Sequence, residues 1–517
     1  MEEIKYPLGE QDFAQLRLEG YKYVDKTRYI SELLRNRFYF LSRPRRFGKS
    51  LFLSTLEQFF IGKKELFRGL WIEKMEWDWR TYPVIRIDLS SGSYSKEEGL
   101  TSRLWRILHN IEEKYEVKGE GKYPGDYLDS LISKIKTKEK CEVVILIDEY
   151  EKPLLDTIYL KHHERYRREL HDFYSVLKDN VSNIRFLFIT GVTRFGHLNI
   201  FSGLNNLTDI SLKDQYSAIC GITQEELETN FGEGIKQLAV KKALSYEETI
   251  SLLKKYYDGY HFSGRLEDIY NPYSLMDCLN FSKMSSSWIY SGSSTFLIEN
   301  LKRNRYDLTE LSGVKASEET LLGVDASMSD SITLLYQSGY LTIKSYNEER
   351  DIYTLGMPNY EVSIALYSAI IPYFLGAAYK VNKDKVFQFS DWLIEGRPEE
   401  AMNWLEEFFS SIPYDVKLNY ESDFQEVVYS FFALAGLLSS TELEKRTSNG
   451  RLDMLVTTEK YIYVFEFKLG DKADKAIEQI NSKNYALQWR SDGRKIFKIG
   501  VAFSAAQRGI SEFIIEE

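Results

Sequence analysis

Gly48-Lys49-Ser50, inside the run FYFLSRPRRFGKSLFL from Phe38 to Leu53, is the strongest chemical signal in this chain. A lysine followed by a hydroxyl residue suits a triphosphate, because the ammonium reaches the outer phosphates and the hydroxyl holds Mg²⁺. Arg46, Phe47 and Leu51 flank the three and line the same loop. A helix opening at Lys49 would add its positive end and its free N–H groups. The full motif G-x-x-x-x-G-K-[ST] asks for glycine at position 43, where this chain has Arg43. Glycine there makes the tight turn that lets backbone wrap phosphates. Its replacement, together with Arg45 and Arg46, alters the loop and adds positive charge around it.

A second signal stands downstream, where EVVILID ends in Asp148-Glu149. At the carboxyl edge of a parallel sheet, Asp148 can approach the Mg²⁺ shell and Glu149 can orient the attacking water. The next apolar run, ITGVTRF, offers Thr190 and Thr193 as polar groups between nucleotide and water, and Arg194 as an answer to phosphate charge. Arg165, Arg167 and Arg168 read better as a solvated helix face than as a transition-state arginine cluster.

A third constellation lies near the carboxyl terminus: Gly450-Arg451-Leu452-Asp453, then Phe465-Glu466-Phe467-Lys468. Side chains alternate on a strand, so Glu466 and Lys468 share one face while Phe465 and Phe467 pack on the other. Asp453, on the preceding strand of a hairpin, can share a metal with Glu466. Two carboxylates hold Mg²⁺ or Mn²⁺ through oxygen, and such a cation activates water against a phosphodiester. Lys468 would help position or deprotonate that water.

The elements that must carry these groups are legible from periodicity. Phe38–Leu41, Tyr82–Leu89, Glu142–Asp148 and Ile184–Thr190 read as strands. The helical patterns between them run from Leu51, over Lys96–Tyr115, around Leu128–Lys136 and over Glu164–Lys178. Strands alternating with helices imply a parallel α/β sheet. After Leu212 helical segments dominate, with a small β element over 339–355 resembling a wing, and two short helices between Lys385 and Ile412. The last unit runs helix Glu421–Leu438, strands Arg451–Thr457 and Tyr461–Leu469, helix Lys472–Trp489 and strand Ile496–Phe503.

Composition limits the alternatives. The chain has 517 residues, enough for two to four domains, and 43% apolar and 15% aromatic content indicates folded cores. A net charge of −10 confines any nucleic-acid surface to a local patch. Cys141, Cys220 and Cys278 are too scattered for a disulfide framework or a zinc site. No apolar stretch approaches the roughly 18 residues of a membrane span, and Met1 to Tyr6 is no signal peptide. The six histidines show no ligand spacing. A cytoplasmic protein without a membrane partner is expected.

The phrases YPLGEQDF, YKYVDKT, FLSRPRRFGKSL, LIDEYEKP and ITGVTRF resemble the AAA-ATPase-like family of bacterial proteins, in which SRPRRFGKS is the usual form of the loop. The missing glycine is then a family trait. The resemblance spans roughly the first 210 residues, with weaker echoes in DGYHF, NPYS and STFLI, and implies ATP and Mg²⁺ handled by Lys49, Ser50, Asp148 and Glu149. The D…ExK hairpin resembles the PD-(D/E)XK nuclease superfamily, with Leu452 where a proline is usual. That likeness implies a supplementary metal ligand in Glu426, and a Gln/Tyr pair in Gln479 and Tyr485 at wider spacing than the usual pattern.

The expected architecture is an N-terminal P-loop NTPase sheet with helices on both faces (residues 1–215), a helical or winged-helix middle (216–380) and a restriction-endonuclease-like α/β domain (381–517, core 420–503). The expected function is an ATPase joined to a Mg²⁺-dependent DNA nuclease, and the resemblance leaves room for a homo-oligomer. Two rivals stand beside it. One is a nucleotide-dependent switch with an inactive nuclease fold; the other is a nuclease whose first domain binds nucleotide without turnover.

Overall fold

The computed structural model describes residues 5–194, 201, 204, 206–285, 294–304, 311, 313–323, 331–375, 383–412, 420–434, 441–447 and 450–517. Two compact units emerge: Met1–Ser287 with Val314–Asn359, and Trp288–Gly313 with Tyr360–Glu517.

In the first unit, β1 (Phe38–Ser42), β2 (Val84–Asp88), β3 (Val143–Asp148), β4 (Ile184–Gly191) and β5 (Thr208–Asp209) form one sheet in the order β2-β3-β4-β1-β5. Its neighbours all pair parallel. Every residue of β3 is buried, which is why that run is continuously apolar rather than alternating. Helices cover both faces, as the alternation of elements implies. The helix Lys49–Phe60 packs on β3 and β4, and buries Phe52, Leu56 and Phe59 at helical spacing. Each such side chain contributes about 1.5–3 kcal/mol. The sequence reading contained neither β5 nor the strand order, in which β4 lies between β1 and β3.

The same unit continues with helices Gln224–Lys242, Tyr246–Tyr257 and Pro272–Phe281. Two of them start on capping boxes, Thr223 with Glu226 and Ser245 with Glu248, and Asn271 caps the third. The short strands β6 (Ile222–Thr223) and β7 (Ile269–Tyr270) pair beside them. β8 (Val314–Ser317), β9 (Thr342–Asn347) and β10 (Ile352–Gly356) form an antiparallel sheet in the order β8-β10-β9; β9 and β10 fall in the β element expected over 339–355, and β8 lies outside it.

The second unit holds a sheet in sequential order: β11 (Thr441–Thr447), β12 (Gly450–Thr457), β13 (Tyr461–Leu469), β14 (Lys495–Ser504) and β15 (Gly509–Glu516). Only its β13–β14 pair is parallel, and the helix Ala473–Ser482 makes that crossover. Phe465 and Phe467 join Phe424, Phe432 and Phe503 on one face; Ile462 and Val464 join Ile477, Ile480 and Tyr485 on the other. The expected helix Lys472–Trp489 is broken. Asn484 takes φ 50°, which ends the helix and starts a short 3₁₀ segment, Tyr485–Trp489. The helix from Glu421 runs to Leu434, and residues 435–438 of its expected span lie outside the described residues.

Candidate active sites

The phosphate loop leaves the carboxyl end of β1. Gly48 takes φ 90° and caps the helix that starts at Lys49, while Arg46 takes φ 68°. A left-handed arginine costs about 1–2 kcal/mol, so its surroundings must hold it there. Its guanidinium lies 4.1 Å over the ring of Tyr273. Phe47 is buried edge-on against Tyr260 and Phe262, at 4.8 and 5.2 Å. The Lys49 ammonium donates to the carbonyls of Arg43 at 2.9 Å and Pro44 at 3.1 Å. Burial pushes its pKa down, while Glu149, Asp148 and Glu151 draw it up. Among the described residues no carboxylate comes within ion-pair distance of Lys49. Its hydrogen-bond acceptors are neutral carbonyls, which an incoming anion could replace.

Asp148 ends β3, is 2% exposed, and accepts a 2.7 Å hydrogen bond from the Thr190 hydroxyl on β4. Register explains the meeting: Ile147 pairs with Ile189, and Thr190 in turn pairs with Leu41 of β1. One strand therefore separates Asp148 from the phosphate loop, a gap of about 10 Å at usual strand spacing. Ser50 is half-buried in the first turn of its helix, and Leu51 follows it. Glu149 takes φ 48°, an uncommon conformation that concentrates at functional sites.

Arg194 is not free to answer a phosphate. It pairs with Asp209 at 2.5 Å and donates to the Leu322 carbonyl at 3.2 Å. A group the sequence reading did not single out, Glu151, is buried beneath the Glu149 turn. One of its oxygens accepts the N–H groups of Val192 and Thr193 at 2.5 and 3.0 Å; the other has no partner. Burial, then repulsion from Glu149, raises its pKa to about 7.

In the second unit, Met454 pairs with Phe465, which brings Asp453 and Glu466 side by side across the hairpin. An Asp453 oxygen accepts the Phe467 N–H at 2.8 Å. Glu466 is fully buried, and one of its oxygens receives both Lys468 at 3.0 Å and Gln479. Its other oxygen is buried without a partner. Burial, then the Asp453 charge, pushes the Glu466 carboxyl up. Such crowded, half-satisfied carboxylates are what a divalent cation relieves, so Asp453 and Glu466 fit one. Burial alone would lower Lys468, but Glu466, Asp453 and Glu421 hold it protonated, so in this arrangement it is a donor. Gln479 also meets Tyr485, the break at Asn484 spanning their wide spacing.

Glu421 is the acidic group sequence reasoning missed. It opens the helix Glu421–Leu434, accepts the Leu469 N–H at 2.9 Å, and acts electrostatically on Lys468. The side chain of Glu426 lies outside the described residues. Among the described residues, no group of three His, Cys, Asp or Glu side chains is placed to hold a metal ion.

Comparison with known proteins follows this division. The family described as predicted AAA-ATPase matches residues 7–201, and the PD-(D/E)XK nuclease superfamily matches residues 419–513. A protein of Azotobacter chroococcum mcd 1, described as an uncharacterized protein in the vnfD 5' region, is 34% identical over 530 residues, covering 100% of this chain and 99% of its own length. The chain belongs to the AAA-ATPase-like family.

This AAA-ATPase-like protein also aligns with two solved structures. They are the Aeropyrum pernix ORC1 protein in complex with DNA, at 14% identity and TM-score 0.26 over 66% of this chain and 91% of that one, and the Aeropyrum pernix ORC2 protein (ADPNP-ADP complexes), at 12% and 0.25 over 71% and 97%. Superpositions that loose carry no weight here. The arginines of the family member's 163–179 helix behave as a solvated face, Arg165 pairing with Glu98 and Arg167 with Glu164. Among the described histidines, His162 meets the Tyr94 carbonyl, and His261 meets Asp268 and the Ile343 carbonyl. Among the described residues, no helix is long and apolar enough to cross a membrane.

Proposed function

We propose that this AAA-ATPase-like protein hydrolyses ATP in its first unit and cuts DNA phosphodiester bonds in its second, in the cytoplasm. In the first site Lys49 would bind the outer phosphates, Ser50 and Asp148 would hold Mg²⁺, and Glu149 would orient the water, with Thr190 fixing Asp148. In the second, Asp453 and Glu466, supplemented by Glu421 or Glu426, would hold Mg²⁺ or Mn²⁺. The cation would supply a water activated for attack on phosphorus. Lys468 donates toward the developing charge, and Gln479 orients Glu466.

The observation that carries the nuclease reading is the buried Glu466 between half-buried Asp453 and Lys468, with one Glu466 oxygen that has no partner. A second reading, a nucleotide-dependent binding protein that cuts nothing, is favoured by the lack of a three-ligand metal group among the described residues. Matched Lys49→Ala and Asp453→Ala variants separate the two. We expect Lys49→Ala to lose ATP turnover by at least about a hundredfold, and Asp453→Ala to lose metal-dependent cutting while retaining turnover. Turnover undiminished in Lys49→Ala removes the ATPase assignment. Cutting undiminished in Asp453→Ala removes the nuclease site.

A further inference from the structure

We propose that Arg43 is the positioning residue that holds this glycine-poor loop in phosphate-binding shape, with Phe262 as its seat. The inference rests on the nucleotide reading of the Lys49 site. At the position where the motif asks for glycine, the side chain turns inward and is 2% exposed. Its guanidinium donates to the carbonyls of Ser42 at 2.9 Å, Ser211 at 2.7 Å and Tyr216 at 2.9 Å, and lies 4.3 Å over the Phe262 ring. Its backbone N–H donates to the Gly191 carbonyl at the end of β4. Its own carbonyl accepts the Lys49 ammonium at 2.9 Å. One residue thus joins the end of β4, the segment around 211–216, Phe262 and the phosphate-binding lysine.

The other end of the loop is tied to the same place. Phe47 packs edge-on against Tyr260 and Phe262, and its carbonyl accepts the Gly221 N–H at 3.0 Å. A glycine loop takes its shape from backbone turns alone, whereas this one is anchored by side chains at both ends. A buried guanidinium without a carboxylate partner is costly, and among the described residues no carboxylate comes within ion-pair distance of Arg43. Its fork geometry, matched to several carbonyls at once, is what a lysine cannot reproduce. Arg43 thus acts on the site through its carbonyl, which holds the Lys49 ammonium, while its guanidinium is spent on the anchor. The DGYHF segment, an unassigned echo in the sequence, is then the seat of the loop.

The consequence opposes the motif. Restoring glycine at position 43 removes the anchor and weakens binding. The test titrates the full chain with a fluorescent ATP analogue and Mg²⁺, alongside the melting temperature without nucleotide and the KM and kcat for ATP. We expect Arg43→Gly to raise Kd by roughly tenfold or more, Arg43→Lys to recover part of that loss, and Phe262→Leu to raise Kd by about threefold. The Arg43→Lys effect should fall on KM, with kcat within about twofold of the unaltered protein. An Arg43→Gly protein that binds as tightly as the unaltered chain, or more tightly, overturns the proposal. If that variant does not fold, unchanged Kd in both Arg43→Lys and Phe262→Leu overturns it equally. Binding unaffected by Lys49→Ala would instead reject the nucleotide reading, which separates the two failures.

Discussion

Glu151 receives two backbone N–H groups on one oxygen and none on the other, in a site closed to water. Unfolded, its carboxyl ionises near its ordinary value of 4.5; folded, near 7. Between those pH values the folded chain binds more protons, so this group's contribution to stability falls as pH rises from about 4.5 to about 7 and is level above. The loss is roughly 3 kcal/mol at most. Glu151→Gln cannot suffer it. Denaturant unfolding at pH 5 and pH 8 should show the variant gaining on the unaltered protein by about 2–3 kcal/mol across that interval; parallel stabilities at the two pH values speak against the assignment. Glu421 gives a second residue-scale expectation. Its contact with the strand carrying Lys468 predicts that Glu421→Gln lowers metal-dependent cutting by about tenfold to a hundredfold, read from initial rates. Sequence pattern could find Asp148, Asp453 and Glu466 because each ends or lines a run of recognisable period. It could not find Glu421, which lies beyond any local motif and meets Lys468 only through tertiary packing. Nor could it show that Arg43 turns inward or that Arg194 is spent on Asp209, since both depend on carbonyls and carboxylates supplied by distant segments.

At the scale of elements, strand order decides what meets what. β4 between β1 and β3 puts Thr190 beside Asp148, and Gly191 beside Glu151. A Cβ at Gly191 would stand 2.3 Å from a Glu151 oxygen and 2.8 Å from the Tyr150 ring. Gly191→Ala should therefore cost about 1–3 kcal/mol of stability and depress ATP turnover, measured by melting and by phosphate release. Wild-type values for both would mean that the end of β4 is looser than its packing implies. The apolar strands were legible because burial on both faces leaves a local signature. β5 has two residues and no pattern to detect. The Asn484 break hides inside a run that keeps helical spacing, and only its left-handed backbone divides Gln479's helix from Tyr485.

At the scale of the whole molecule, the two candidate sites fall in two compact units of one chain. The Azotobacter chroococcum relative aligns over both units from end to end. Under the proposed function, nucleotide bound in the first unit would control cutting by the second. The most direct measurement is metal-dependent cleavage of linear and circular DNA by the full chain, with and without ATP, beside Lys49→Ala and Asp453→Ala. We expect cutting by the unaltered chain that changes severalfold with ATP, cutting by Lys49→Ala that ignores ATP, and none by Asp453→Ala. No cutting by the unaltered chain with Mg²⁺ or Mn²⁺, in any nucleotide state, would contradict it.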